Sequence, residues 1–233
     1  MPRVIVLDIL GTLLDLRAMD AHFERFFGDA AVRKEWFMQT LQLAMAATLA
    51  NAYEDFGVQA DTGLEITARQ HKVSLLGEEK NLILGTLRTL RPYPEVTASL
   101  RRLRDGGLRL ATLTNSTVQA AEAQLMYAGL REYFEQVISA DEVRLFKPNP
   151  EVYHLAARRL GVEPGQVRLL ASHDWDVTGA LRAGCAAAFV ARPGQVMNPF
   201  GPQPDVRGAD LGEVVERVLA VELGQAYEEG AHR

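Results

Sequence analysis

The chain has 233 residues, 48% of them hydrophobic and 24% charged, with a net charge of −5. This describes a globular chain of one large domain, or of a core with a smaller insert, and excludes a disordered one. Acids and bases are interspersed without the basic footprint of a nucleic-acid binder, and the longest apolar stretches, such as residues 41–52 with Gln42 and Asn51, fall short of a bilayer span.

Met1-Pro2-Arg3 leads directly into an apolar run and shows no small-residue cleavage site, so no secretory signal is expected and the expected location is cytoplasmic. Val4 to Leu7 has the pattern of a strand buried on both faces, ending at Asp8 and a Gly11-Thr12 turn. From about Ala18 to Leu90 the texture is helical. Residues 29–57 have the composition of one long helix ended by Gly57. A second is expected over 60–77, with Asp61 or Thr62 near its start and Gly77 after its end. A third, over 78–90, runs into the rigid Arg91-Pro92-Tyr93-Pro94.

Beyond Pro94 the rhythm alternates. Helices are expected within 94–107, 117–130, 149–162 and 176–185, and strands within 108–115, 134–143, 166–173 and 186–192. That alternation predicts an α/β core with a parallel sheet covered on both faces. The core comprises residues 1–14 and 92–233, interrupted by a helical insert at 15–91. An insert after the first strand would roof the carboxyl edge of the sheet, where ligands of such folds bind. Residues 192–205 read as a surface loop. Cys185 is the only cysteine, which rules out an internal disulfide and a cysteine metal site, and its small-residue surroundings predict a buried structural thiol.

Four polar features fall at expected carboxyl ends of strands. They are Asp8 with Gly11-Thr12, Thr114-Asn115, Lys147-Pro148, and Ser172-His173-Asp174-Trp175-Asp176. One such feature is as readily a cap or a turn; four on one sheet edge point to a site. Asp8 is then a carboxylate nucleophile or a turn cap, with Gly11 permitting a tight turn and Thr12 able to aim the carboxylate. Thr114 and Asn115 are candidate caps of the following helix. His173 is either structural or a group that orients or activates water. Asp174 suits the first turn of a helix, and Trp175 a pocket wall.

The segments LDILGTL, LATLTNST, LFKPNPEVYHLA and LLASHDWDVTGA, in this order and spacing, resemble the haloacid dehalogenase superfamily and within it the (S)-2-haloacid dehalogenases. The resemblance spans nearly the whole chain. It implies a Rossmann-like parallel-sheet core with an inserted α-helical cap, a homodimer, and no cofactor. It also implies hydrolysis of a small 2-haloacid to a 2-hydroxyacid through an ester on Asp8. In that scheme Lys147 neutralises Asp8 and the substrate carboxylate, and Asp176 positions Lys147 and the hydrolytic water. Thr12 and Ser172 match supporting positions, and His173 stands where relatives have asparagine or histidine. Thr114 and Asn115 would face the substrate carboxylate and departing halide. Ile9, Leu10, Phe37, Phe56, Tyr153 and Trp175 fall to the substrate pocket.

Two departures matter. The superfamily's phosphatases carry a second acid two residues after the nucleophile and an acidic pair that holds magnesium; here Leu10 and Ser172 replace one acid at each place. A Mg²⁺ site therefore belongs only to a phosphatase alternative. In the cap, the resemblance calls for an arginine after a tryptophan to receive halide, but the dipeptide is Trp36-Phe37. A phenylalanine ring edge offers an anion only weak contact, and Arg33, one turn earlier on the same helix face, is a candidate substitute. A binding protein that has lost catalysis is the alternative favoured by the missing arginine.

Overall fold

The structure, a computed structural model, describes residues 3–224; residues 1–2 and 225–233 of the expected core lie outside the described residues. After β1 (Val4–Leu7) the chain is helical, through α1 (Asp20–Phe27), α2 (Val32–Leu49), α3 (Phe56–Gln70) and α4 (Gly77–Gly85). Strands and helices then alternate through α5 (Val96–Asp105), β2 (Leu110–Thr114), α6 (Val118–Tyr127), β3 (Gln136–Ser139) and α7 (Pro150–Leu160). The chain ends with β4 (Val167–Ala171), α8 (Asp174–Arg182), β5 (Ala186–Val190), β6 (Val206–Gly208) and α9 (Leu211–Leu223). No helix among the described residues is long and apolar enough to cross a membrane.

The strands form one parallel sheet in the order β3-β2-β1-β4-β5-β6. β1 lies between β2 and β4, with Leu7 level with Thr112 on one side and Leu170 on the other. Its residues alternate between two layers. Ile5 and Leu7 pack with Leu100, Leu125 and Val214 from α5, α6 and α9; Val4 and Val6 pack with Val152, Ala156 and Val177 from α7 and α8. Burial on both faces explains the unbroken apolar run and leaves the first polar residue, Asp8, at the carboxyl edge where strand order reverses.

Chain exit and re-entry around the helical stretch run side by side. Leu14 bridges Pro92, the Asp15 amide donates to the Arg91 carbonyl at 2.9 Å, and the Tyr93 amide donates to the Leu13 carbonyl at 3.1 Å. Within the stretch, Trp36 is fully buried and its indole N–H donates to the Ala60 carbonyl at 2.9 Å, joining α2 to α3.

The helix boundaries differ from expectation. The long helix over 29–57 is broken after Leu49, where Asn51 takes a left-handed φ of 53° and Asp55 caps a new helix through the Gly57 and Val58 amides. Gly57 thus lies inside α3, and Phe56 begins that helix rather than ending the previous one. Gly77 opens α4 instead of terminating a helix, because the Glu79 carboxylate accepts from the Leu76 amide and fixes a start there. β6 and α9 had no counterpart in the sequence expectation. Cys185 is buried, and burial pushes its thiol up to about 11, as suits a structural residue.

Candidate active site

Asp8 still belongs to the sheet through its amide, which donates to the Leu170 carbonyl at 3.1 Å, while its side chain projects beyond the edge. The turn that follows returns on itself, with the Gly11 amide on the Leu14 carbonyl and the Leu13 amide on the Ile9 carbonyl. This places the Thr12 hydroxyl 2.7 Å from Asp8 Oδ2, donating to it. The turn is braced from β4: the Ser172 amide donates to Thr12 Oγ1 at 3.0 Å, and the Ser172 hydroxyl donates to the Gly11 carbonyl at 3.0 Å. Arg192 braces it from β5, donating to the Thr12 carbonyl at 2.8 Å from Nη2. Its guanidinium lies 3.7 Å from the Tyr93 ring centroid and pairs with Glu95.

The second half of the site is a buried charge cluster. Lys147 Nζ donates to Asp8 Oδ1 at 2.8 Å, to Asp176 Oδ2 at 2.6 Å and to the Leu113 carbonyl at 3.0 Å. Those three bonds use all the donors of an ammonium. The Lys147–Pro148 peptide is cis, and the Lys147 amide donates to Asn115 Oδ1 at 2.9 Å. Asp176, in the first turn of α8, is fully buried and accepts from the Tyr153 hydroxyl at 2.7 Å on its other oxygen. Gly179 makes that contact possible, since a Cβ there would lie 2.5 Å from the Tyr153 hydroxyl oxygen and 2.6 Å from Pro148.

Burial alone would raise the Asp8 carboxyl, but the Lys147 ammonium, with a smaller contribution from His173, reverses this and holds it well below the usual carboxylate range. Burial likewise pulls Lys147 down, and the charges of Asp176 and Asp8 overcome it and raise the ammonium. Burial pushes Asp176 up; Lys147 pulls against that rise and the Asp8 charge adds to it. Tyr153 is driven far up by burial and the Asp176 charge, so it stays a donor.

Asp8 and Lys147 form the floor of a cavity of about 270 Å³ bordered also by Leu10, Phe37, Leu41, Phe56 and Trp175 on its apolar side and by Thr114, Asn115, Ser116 and His173 on its polar side. That volume suits a molecule of a few heavy atoms. Of the residues assigned from sequence, Ile9, Thr12, Ser172, Tyr153 and Asp176 do not border this cavity; they hold groups that do, except Ile9, which is fully buried in the core. Thr114 does not cap α6. Its hydroxyl accepts from the Ser116 amide, and Thr117 takes the cap. Asp174 begins α8 as expected.

Leu41, Ser116 and Arg192 escaped the sequence reading. Leu41 follows Phe37 by one helical turn, so the same periodicity that placed Phe37 would have found it. Arg192 ends a strand on the functional edge, the rule that selected Asp8. Arg33 does not replace the absent arginine: it pairs with Asp20 and borders a larger, open outer pocket with Phe37, His173 and Arg192, not the inner cavity. Phe37 and His173, with ring centroids 5.9 Å apart, border both spaces.

The donor set is a poor fit to a divalent cation. The position between Asp8 and Asp176 is taken by Lys147 Nζ, and Leu10 and Ser172 add no carboxylate, whereas magnesium wants an oxygen-rich octahedral shell.

Gly11 has φ 79°, and a Cβ there would come within 3.1 Å of His173 Cε1 and Nε2. Gly11→Ala is therefore expected to lose roughly 1–2 kcal/mol from the left-handed backbone alone. For a chain of this size that lowers the melting temperature by roughly 2–8 °C. Turnover should fall as well, because the imidazole must move. A calorimetric melt unchanged from the wild type would contradict this.

A parallel α/β sheet, an all-helical insertion after its first strand, and a buried aspartate–lysine pair under a small cavity define an α/β hydrolytic enzyme of the covalent-aspartate type. A family model for haloacid dehalogenase-like hydrolases matches residues 2–184, and the chain belongs to that family. Among curated relatives, an (S)-2-haloacid dehalogenase of Pseudomonas sp. (strain YL) is 31% identical over 214 residues, covering 91% of this chain and 92% of that one. The haloacetate dehalogenase H-2 of Moraxella sp. (strain B) is also 31% identical, over 206 residues, covering 87% and 92%. The L-2-haloacid dehalogenase of Xanthobacter autotrophicus with chloropropionic acid covalently bound superposes with a TM-score of 0.87 at 26% identity, covering 94% of this chain and 98% of that one.

Proposed function

We propose that the chain hydrolyses the carbon–halogen bond of a small 2-haloacid, yielding the 2-hydroxyacid through an ester on Asp8. One observation carries this: a carboxylate kept ionised by Lys147 and braced at both oxygens faces a small cavity with largely apolar walls. A carboxylate is a weak nucleophile in bulk water, and such walls strip its hydration while Thr12 and Lys147 fix its aim. A halide leaves as a stable anion and needs no proton, so the apolar Leu10 in place of a second acid is no handicap. No cofactor is needed, because the nucleophile is part of the chain.

The substrate carboxylate is placed against Thr114, Asn115 and Ser116, which border the cavity just before the amino end of α6, the positive end of a helix. Residues 15–91 serve as a cap over the core of 1–14 and 92–233; Phe37 and Leu41 of α2 and Phe56 of α3 close the cavity from above. Asp176 and Tyr153 act behind Lys147, holding the ammonium against Asp8.

Oxygen labelling tests the route. In a single turnover in H₂¹⁸O, the label is expected in the Asp8 carboxylate and absent from the product, whose hydroxyl oxygen comes from Asp8. Label in the product with none in Asp8 would mean direct attack by water and would end the covalent reading. Halide release from chloro-, bromo- and fluoroacetate and both 2-chloropropionates should be the same with and without chelator.

A further inference from the structure

Hydrolysis of the Asp8 ester needs a group that removes a proton from water beside Asp8 Cγ. Asp176 is badly placed for this. Both of its oxygens are engaged, by Lys147 and Tyr153; it is fully buried, and it does not border the cavity. A water reaching it would have to occupy space filled by those two side chains.

His173 is in the opposite situation. It is 5% exposed, yet it borders the cavity, and its Nδ1 lies 3.4 Å from Asp8 Oδ2. Nδ1 is buried and has no hydrogen-bond partner among the described residues. The ring cannot easily turn away. Trp175 stacks on it with centroids 5.2 Å apart and planes at 22°, Phe37 lies 5.9 Å off, and its Cε1–Nε2 edge fits against Gly11 only because that residue lacks a Cβ. A buried polar nitrogen without a partner is costly, and its retention beside the reacting carboxylate points to use.

We infer that His173 is the general base for hydrolysis of the aspartyl ester. This rests on the covalent reading above and assigns its second step. Nδ1 takes a proton from water as the water oxygen bonds to Asp8 Cγ. The charge that develops on Oδ1 meets the Lys147 ammonium, 2.8 Å away. The intermediate collapses by breaking the bond from Cγ to Oδ2, which departs with the substrate carbon, and the imidazolium returns its proton to that oxygen. Asp8 is left as the acid, with one oxygen from water, and loses its proton to solvent. The order of events suits the geometry. Before alkylation Nδ1 faces an anion; afterwards it faces a neutral ester, so the negative charge that competes for its proton is gone when the base is required.

The test uses full-length His173→Asn and His173→Gln with (S)-2-chloropropionate, following chloride by rapid quench and the intact protein by mass spectrometry. One equivalent of chloride per site is expected at close to the wild-type rate. Turnover should then be about 10²–10⁴-fold slower, as befits loss of a general base, with Asp8 accumulating as the ester. The burst itself reports a folded site. In the wild type, without any substitution, decay of the ester should slow in D₂O while the chloride burst does not. A burst slowed as much as turnover, with no ester accumulating, would overturn the assignment in favour of a role in carbon–halogen cleavage; unchanged turnover would overturn it outright. If the wild type releases halide from none of the five acids named above, the dehalogenation reading falls and this step with it.

Discussion

Asp8→Asn should abolish halide release, by at least about 10⁴-fold, while leaving the fold nearly as stable as before. A drop of that size corresponds to roughly 5.5 kcal/mol of transition-state stabilisation. The substitution keeps the shape of the side chain, and an amide oxygen can still accept from Lys147 or Thr12, so the packing around β1 is undisturbed. What it removes is the anion. Lys147 remains paired with Asp176 and the Leu113 carbonyl, which prevents the collapse that an orphaned buried ammonium would cause. Initial-rate chloride release by the two proteins, measured beside their melting curves, separates the effects. Equal rates would mean that Asp8 is not the nucleophile and would favour a protein whose site binds without reacting. A large fall in melting temperature would mean that the ion pair holds the core together more than the geometry indicates.

Much of this site was legible because its parts sit at one kind of place. Asp8, Asn115, Lys147 and the Ser172–Asp176 run all lie at or just beyond strand ends, and an apolar run that stops at a polar residue marks such an end in sequence. The sheet was legible for the same reason, except β6, whose three residues are too short for any period. Helix ends were harder. Gly57 and Gly77 looked like stops, but Asp55 and Glu79 supply capping carboxylates that make each the start of a helix, and a glycine alone carries no direction. Contacts between distant segments were not legible at all. Arg33 shares a helix face with Phe37, yet Asp20 on α1 captures it, and no spacing within α2 foretells that. The pairing of Phe37 with His173 joins α2 to the start of α8, so the question left by the missing arginine has its setting only in three dimensions. That setting is aromatic: Phe37, His173 and Trp175 form one contiguous wall beside Asp8 and Lys147.

Lys147→Met is the substitution expected to cost most in both activity and stability, and its pH dependence should have a sign opposite to the wild type's. In the wild type one ammonium neutralises two buried carboxylates, with all three groups at most 5% exposed. Removing it leaves Asp8 and Asp176 facing each other without a counter-charge, which should destabilise by roughly 3–5 kcal/mol, or about 10 °C in melting temperature. The sign follows from the shifts. Asp8 titrates below its ordinary value of 3.8 in the folded chain, so its contribution is present above that pH and is lost as the pH falls through the folded value. Lys147 titrates above its ordinary 10.5, so its contribution holds below that pH and is lost only as the pH rises through the folded value. Between these limits the cluster gives the wild type a flat stability profile. Without Lys147, burial and mutual repulsion drive the carboxylates upward instead, and a carboxyl raised in the folded state stabilises only when protonated. The variant should therefore gain stability as the pH falls from 8 to 5, where the wild type changes little. Turnover should fall about 10²–10⁴-fold, since Asp8 loses both its ionised state and its aim. Denaturant melts of both proteins at pH 5 and pH 8 decide the matter: parallel profiles would show that solvent, rather than Lys147, neutralises the pair.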